Sequence, residues 1–468
     1  MRILLVAYDF APSASPQSLR WIYLAREFVR CGHQVEVVTP DIGRRDAAAG
    51  SLPSLPAALK IHRVYPGPVS AVLFYRRRKP VPAPANHEHV SSSTGLPAGT
   101  DPTRLTQSVR WLLRPLTRLL LKEQDMIGLN WKGVLEAHAK GLFSRLLYPD
   151  HRAEWLPWAR RRVRSVLGRF DPHVVVTSHE PPNSIALGLL AKEKGYVWVA
   201  DLGDPILSSY TPPRWVRRAG RLEQRTCRSA DLVTVTTAGT RDLLSERHGI
   251  PTERIEVIPQ GFDGGEPRHA GPLPAFDPAL LELVYTGSLY SFRSIEPLVD
   301  AVARLEGVRL TIASGQLPGY LGRALAEHPA KFRHLGFQPH LCAMAIQRSA
   351  DVLVNIANDD PVQIPGKLFE YFHARKPVIH LTREGEDAVS RLLHASRIGW
   401  PTPAAWESVV ARLRHAKDAK AAGRPLLEAP DWDSIESYRW DRLAERWLQR
   451  VAEIGADRRS GAEGTARA

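Results

Sequence analysis

Residues Ile255-Glu-Val-Ile-Pro259 close one series of apolar runs, and Leu283-Val-Tyr-Thr-Gly287 opens another. Between them lies Gly264-Gly-Glu-Pro-Arg-His-Ala-Gly-Pro-Leu-Pro-Ala-Phe-Asp-Pro278, rich in glycine and proline and without a hydrophobic period. Such a stretch carries neither a helical stripe nor a strand face, so it reads as a linker. The chain therefore divides into a first domain over 1–263, a linker over 264–280 and a second domain over 281–433.

Working outward from that linker, short apolar runs alternate with helical patterns. The strand candidates of the first domain are 3–7, 35–39, 61–65, 174–178, 197–201, 232–236 and 255–259. Those of the second are 283–287, 308–313, 334–337, 352–356 and 377–381. Helical patterns fall at 19–29, 184–194, 214–227, 295–305 and 341–349. Continuously apolar strands separated by helices predict an α/β fold, with parallel sheets covered on both faces. The fold class expected is two facing doubly wound, Rossmann-like domains. A helix over 435–454, with Leu443, Trp447, Val451 and Ile454 on one stripe, is expected to cross back to the first domain. Residues 455–468 read as a disordered tail and 76–103 as a mobile insertion.

The chain has 468 residues, 44% of them hydrophobic and 24% charged, which is the composition of a soluble globular protein. Cys31, Cys227 and Cys342 stand far apart, in no metal-binding or redox spacing, as expected for a reducing compartment. The N-terminal run Ile3-Leu-Leu-Val-Ala7 is too short for a signal sequence, and no run is long enough to span a bilayer, so the expected location is cytoplasmic. The net charge is +14, and residues 104–170 hold 14 Lys/Arg against 5 Asp/Glu, mixed with leucines and with Trp111, Trp131, Trp155 and Trp158. This basic amphipathic segment reads as contact with an anionic membrane surface, ahead of a merely solvated face. Nucleic acid ranks last, since no binding module accompanies the charge.

Two facing parallel sheets make a cleft at the carboxyl ends of their strands, and the loops there carry the chemistry. In Ile364-Pro-Gly-Lys-Leu-Phe-Glu370, a Pro-Gly turn opens a helix at Gly366. A helix N-terminus attracts phosphate; Lys367 adds a cation and Glu370 an acceptor for sugar hydroxyls. The competing interpretation is an ordinary Lys/Glu surface pair three residues apart. Gly287-Ser288-Leu-Tyr-Ser-Phe-Arg293 follows the first strand of the second domain, and Arg293 could fork a diphosphate. His179, Glu180, Asp201 and Asp204 fall at adjacent strand tips of the first domain, where a titratable group could deprotonate an acceptor hydroxyl. Asp201 reads better as a buried cap, and Asp359-Asp360 as a turn rather than a metal pair.

These segments together resemble the retaining glycosyltransferases of family 4, which have the GT-B fold and serve bacterial polysaccharide and glycolipid biosynthesis. The resemblance covers roughly residues 1–455. It rests on Val257-Ile-Pro-Gln-Gly-Phe-Asp263, Tyr285-Thr-Gly-Ser-Leu-Tyr290, His334-Leu-Gly-Phe337 and Ile364-Pro-Gly-Lys-Leu-Phe-Glu-Tyr371. Tyr148-Pro-Asp-His-Arg152, Ser178-His-Glu-Pro-Pro182 and Ala200-Asp-Leu-Gly-Asp-Pro205 are similar to one branch of the family. The resemblance implies that Arg293 and Lys367 meet the donor diphosphate, Glu370 the donor ribose, and the loop Gly336–His340 the nucleobase.

The chain also departs from the pattern. Val362 stands where many members have a first glutamate, Pro12–Pro16 replaces a glycine pair, and Ala186 stands near an expected histidine. His179 or Asp204 is then expected to serve as the catalytic group. The expected reaction moves a sugar from a nucleotide-diphosphate donor to a lipid-linked or growing saccharide, without an obligatory metal. It would take place at the inner face of the plasma membrane. A sugar-nucleotide epimerase and a catalytically silent glycan-binding protein are the alternatives.

Overall fold

The computed structural model describes residues 1–13, 15–42, 52–75, 147–208, 211–265, 273–289, 294–383 and 385–466. The expected insertion at 76–103, most of the basic segment before 147, and Arg293 lie outside the described residues.

Seven parallel strands form the first sheet: β1 (Arg2–Val6), β2 (Gln34–Pro40), β3 (Lys60–Val64), β4 (Val174–Ser178), β5 (Val197–Gly203), β6 (Leu232–Val235) and β7 (Ile255–Val257). Their spatial order is β3-β2-β1-β4-β5-β6-β7. Six form the second: β8 (Leu281–Thr286), β9 (Val308–Ala313), β10 (Phe332–His334), β11 (Val352–Ile356), β12 (Val378–Thr382) and β13 (Gly399–Pro403), in the order β10-β9-β8-β11-β12-β13. The order reverses between β1 and β4 and again between β8 and β11, which places one ligand crevice in each domain. The central strands are buried throughout because helices cover both sheet faces: all five residues of β4, β11 and β12 are buried, and most of them are apolar.

Two features depart most from the sequence expectation. β13, Gly-Trp-Pro-Thr-Pro, was not expected as a strand, because its two prolines suit only an edge position, and it forms the edge of its sheet. The last helix does not run as one piece over 435–454. A short helix, Trp432–Glu436, ends, and a second, Trp440–Ala466, begins after a break. That second helix continues through Gly455, where a disordered tail was expected. One glycine costs a helix only about 1 kcal/mol, and the following residues include good helix formers.

The break at 437–439 is where the chain returns to the first domain. The Phe262 amide donates to the Tyr438 carbonyl at 3.1 Å, and the Trp440 amide donates to the Phe262 carbonyl at 3.0 Å. Thus the outgoing and returning segments are zipped together. Gly261 permits the close approach: a Cβ there would lie 2.6 Å from the Tyr438 oxygen. Beyond the zipper, Trp440 stacks on Tyr23 at 5.6 Å and Trp447 packs on Phe28 at 4.8 Å. Both aromatic partners belong to the helix Pro16–Arg30, so the C-terminal helix completes the core of the first domain.

Candidate functional site

A cavity of about 530 Å³ lies between the domains, a size suited to a nucleotide-scale ligand. The C-terminal domain supplies Gly287, Ser288, His340, Gly366, Lys367 and Glu370 to its wall. Those are the described members of the expected donor set, and the fold brings them together. The helix Gly366–Ala374 starts after Pro365 with no side-chain cap; the Leu368 amide donates back to the Pro365 carbonyl at 3.0 Å, and Gly366 and Lys367 of the first turn line the cavity. Lys367 Nζ lies 4.0 Å from the centre of the Tyr285 ring. Glu370 turns to a different neighbour: one carboxylate oxygen is 3.5 Å from His340 Nδ1, and the other is 3.4 Å from Gln347 Nε2. Gln347 is itself fixed by donating to Thr286 Oγ1 at 2.9 Å.

Gly287 occupies its expected place beside Lys367, but its amide donates to the Ala313 carbonyl at 3.0 Å and is not offered to a phosphate. The Tyr285 hydroxyl donates to the Ser288 carbonyl at 2.8 Å and so shapes the same loop.

The opposite wall comes from the first domain and the returning helix: Pro16, Leu19, Tyr23, Gln260 and Trp440. In the sequence Tyr23 is only one residue of the helical pattern over 19–29. In the structure its phenol is held protonated well above the usual range, first by burial and then by the Asp263 and Glu370 carboxylates. The Glu370 carboxylate thus acts on Tyr23 across the domain boundary. Phe337, 63% exposed, stands at the cavity lining as a free aromatic face. The signal for it was present in the His334–Phe337 motif, but nothing in sequence showed that its ring faces water.

A second cluster occupies the strand tips of the first sheet. Asp201 is not part of any reactive surface. It is fully buried and forms a salt bridge to Arg20 at 3.0 Å, while Trp21, Gln17 and Thr234 also donate to it. His179 is buried too. Its Nδ1 donates to the Leu202 carbonyl at 2.8 Å, and burial pushes its pKa down to about 4. Glu180 is exposed at the strand tip, and neither it, His179 nor Asp204 lines the 530 Å³ cavity. Its φ of +72° is a strained backbone conformation for a residue with a side chain. Partial desolvation, followed by the Asp204 and Asp9 carboxylates, pushes Glu180 up to about 7.

Asp204 rises to about 6, first by burial and then through Asp360 of the opposite domain. The loop after Asp204 is pinned by buried Glu223, which accepts from the Leu207 amide at 2.8 Å and pairs with Arg247 and His248. Asp360 accepts from the Val362 amide at 3.1 Å and Asp359 pairs with Arg383 at 2.6 Å, so this carboxylate pair is used in a turn and an ion pair. Among the described residues no three His, Cys, Asp or Glu side chains converge as metal ligands. Val362 packs on Gly239 of the first domain and not into the donor cavity.

This geometry has known counterparts. Residues 107–264 match the family model Glycosyltransferase Family 4. No curated protein matches the chain in sequence. Among solved structures, the chain is similar to the Anabaena protein HepE in complex with UDP and glucose. The TM-score is 0.58 at 13% identity, covering 97% of this chain and 100% of that one. It is similar to a glycosyltransferase from Rickettsia africae, with TM-score 0.55 at 12% identity over 97% and 98% of the two chains. A UDP-GlcNAc 2-epimerase from Neisseria meningitidis bound to UDP-GlcNAc has TM-score 0.51 at 10% identity over 97% and 100%. The chain has the GT-B fold, and over residues 107–264 it carries the sequence pattern of the family 4 glycosyltransferases.

Proposed function

We propose that this chain transfers a glycosyl group from a nucleotide-diphosphate sugar to a hydroxyl of a lipid-linked or growing saccharide. One observation carries that reading: the uncapped helix N-terminus at Gly366, with Lys367 and Glu370, opens into an interdomain cavity walled by Tyr23 and Trp440. The departing diphosphate gains one unit of negative charge, because the oxygen that bridged it to the sugar keeps the bonding electron pair. The helix N-terminus and Lys367 stabilise that charge where it develops, joined by Arg293 from its loop, with no obligatory metal. Glu370, oriented by His340 and Gln347, holds the ribose diol.

In the reaction, the acceptor oxygen bonds to the anomeric carbon as the bond from that carbon to the phosphate oxygen breaks. The leaving diphosphate keeps the electron pair. The acceptor proton passes to the carboxylate of Glu180, beside Asp204. This replaces His179 in the role expected for it, because His179 is buried and commits Nδ1 to a backbone carbonyl. Retention by attack on the same face as the leaving group belongs to this proposal. So does a site of action in cell-surface polysaccharide biosynthesis, peripheral to the inner face of the plasma membrane. Among the described residues no helix is long and apolar enough to cross a membrane.

The shape shared with the Neisseria epimerase favours a second reading, turnover of a nucleotide sugar without an acceptor. Incubation with UDP- and GDP-sugars, with and without saccharide acceptors, separates the two. Glycoside formation, with the anomeric configuration read by NMR, supports transfer. Interconversion of UDP-GlcNAc without acceptor supports epimerisation. Donor binding without any turnover leaves a glycan-binding protein.

A further inference from the structure

The three crossovers β3 to β4, β4 to β5 and β5 to β6 all step the same way along the first sheet. Right-handed connections therefore lay their helices on one face. These are Leu156–Phe170, Ile185–Glu193 and Val216–Ser229, with Ile185–Glu193 packed between the other two. The two flanking helices have inner stripes that belong to the core: Ala159, Val163 and Val166 in one, Ala219 and Cys227 in the other. Their outer stripes are arginine. Each flanking helix carries five exposed arginines, and the single acidic residue of the pair, Glu223, is buried. At 100° per residue, Arg217, Arg221 and Arg228 project directly away from the sheet, as do Arg161 and Arg164.

Helices in a parallel α/β layer run back from the cleft, so their N-termini lie at its rim. There the arginine face ends in aromatic side chains. Trp158 and Tyr65 are each 40% exposed and meet edge to face at 4.9 Å. On the other helix, exposed Val216 follows Trp215, and Arg218 lies over the rings of both Trp215 and Tyr148. A face of arginines, on which Glu193 of the middle helix pairs with Arg225 at 3.4 Å, bordered on one side by interfacial aromatics is complementary to an anionic bilayer. Guanidinium groups meet lipid phosphates, and Trp and Tyr settle at headgroup level.

We propose that this three-helix face docks the chain on an anionic membrane, with the aromatic rim holding the mouth of the interdomain cleft against the lipid surface. The docking face includes a second helix, Val216–Ser229, which lies outside the basic segment of residues 104–170. It also moves Trp155 out of the contact, since that ring is fully buried. It builds on the transfer reading only in supplying a lipid-borne acceptor, and docking itself is measurable without turnover.

The test is flotation of the full chain with phosphatidylcholine vesicles, with or without about a third phosphatidylglycerol. The expected result is binding to the anionic vesicles alone, weakened by salt. The double variants Arg217→Gln/Arg221→Gln and Arg161→Gln/Arg164→Gln should each weaken partitioning by about thirtyfold, at roughly a fivefold loss per surface arginine. UDP affinity should be unchanged in both, which shows that they fold and separates failure of docking from failure of the donor-site reading. The proposal is overturned by absence of flotation at low salt, by wild-type partitioning of both variants, or by a single- or double-stranded oligonucleotide displacing the protein from vesicles at lower concentration than it displaces the variants' residual binding.

Discussion

Val362 of the second domain rests on Gly239 of the first: a Cβ added to Gly239 would come within 2.8 Å of the Val362 Cβ. Gly239 lies in the first turn of the helix Ala238–His248 with ordinary helical backbone, so alanine is locally the better helix former there. Gly239→Ala is therefore expected to leave the first domain as stable or slightly more so, while pushing the domains apart. The expected outcome is kcat/KM reduced by about tenfold to a hundredfold, the scale for misplacing reacting groups by an ångström. Wild-type turnover in a folded Gly239→Ala variant would show that this contact does not set the closed geometry.

Lys367→Ala should weaken UDP and GDP binding by about 1.5–3 kcal/mol, the range for a hydrogen bond to a charged group. Isothermal titration measures this directly. Equal affinity in variant and wild type would remove Lys367 from the diphosphate site.

Glu370→Gln should lower affinity for UDP and not for the 2′,3′-dideoxy nucleotide, since the carboxylate is assigned to the diol. A loss of about 1.5–3 kcal/mol is expected for UDP alone. Equal losses for both nucleotides would mean that Glu370 only supports His340 and Gln347.

Glu180 and Asp204 titrate as a coupled pair, so kcat/KM should rise with pH through an apparent pKa near 7. Asp204→Asn removes a like charge and should move that rise to lower pH. An unmoved midpoint would detach the pH profile from this pair. Stability runs the other way. Glu180 is raised from 4.5 to about 7, so the folded state holds this proton more tightly. That contribution is complete below 4.5 and is lost as pH climbs towards 7.

Asp201→Asn leaves the buried guanidinium of Arg20 without its counter-charge. Removing one partner of a buried pair costs about 3–5 kcal/mol, so a large drop in Tm is expected. A variant that melts as the wild type does would show that the network around Asp201 contributes little.

The core strands were legible because burial on both faces leaves continuous apolar runs; β4, β9 and β11 fall where the sequence puts them. Edge strands were harder to read. β13 is interrupted by prolines, and β10 forms at Phe332–His334, ahead of the expected 334–337, because a three-residue edge strand has too few residues to show a period. The second-domain side of the cleft was legible from one motif, since Gly366, Lys367 and Glu370 are neighbours on one helix. The first-domain side was not. Four titratable residues share the strand tips, and only tertiary partners decide between them. Arg20 and Thr234 draw Asp201 inward, Leu202 engages His179, and the positive φ at Glu180 turns that carboxylate out.

The stacking of Tyr23 on Trp440 has a consequence for how the protein is made. A ribosome delivers the first domain long before the helix that carries Trp440 and Trp447, so the nascent domain must wait with one apolar helix face uncovered. Folding of that domain is completed only when the far end of the chain returns through the Phe262 zipper. A premature stop ahead of Trp440 would thus cripple the first domain, although every residue of its sheet had already been translated.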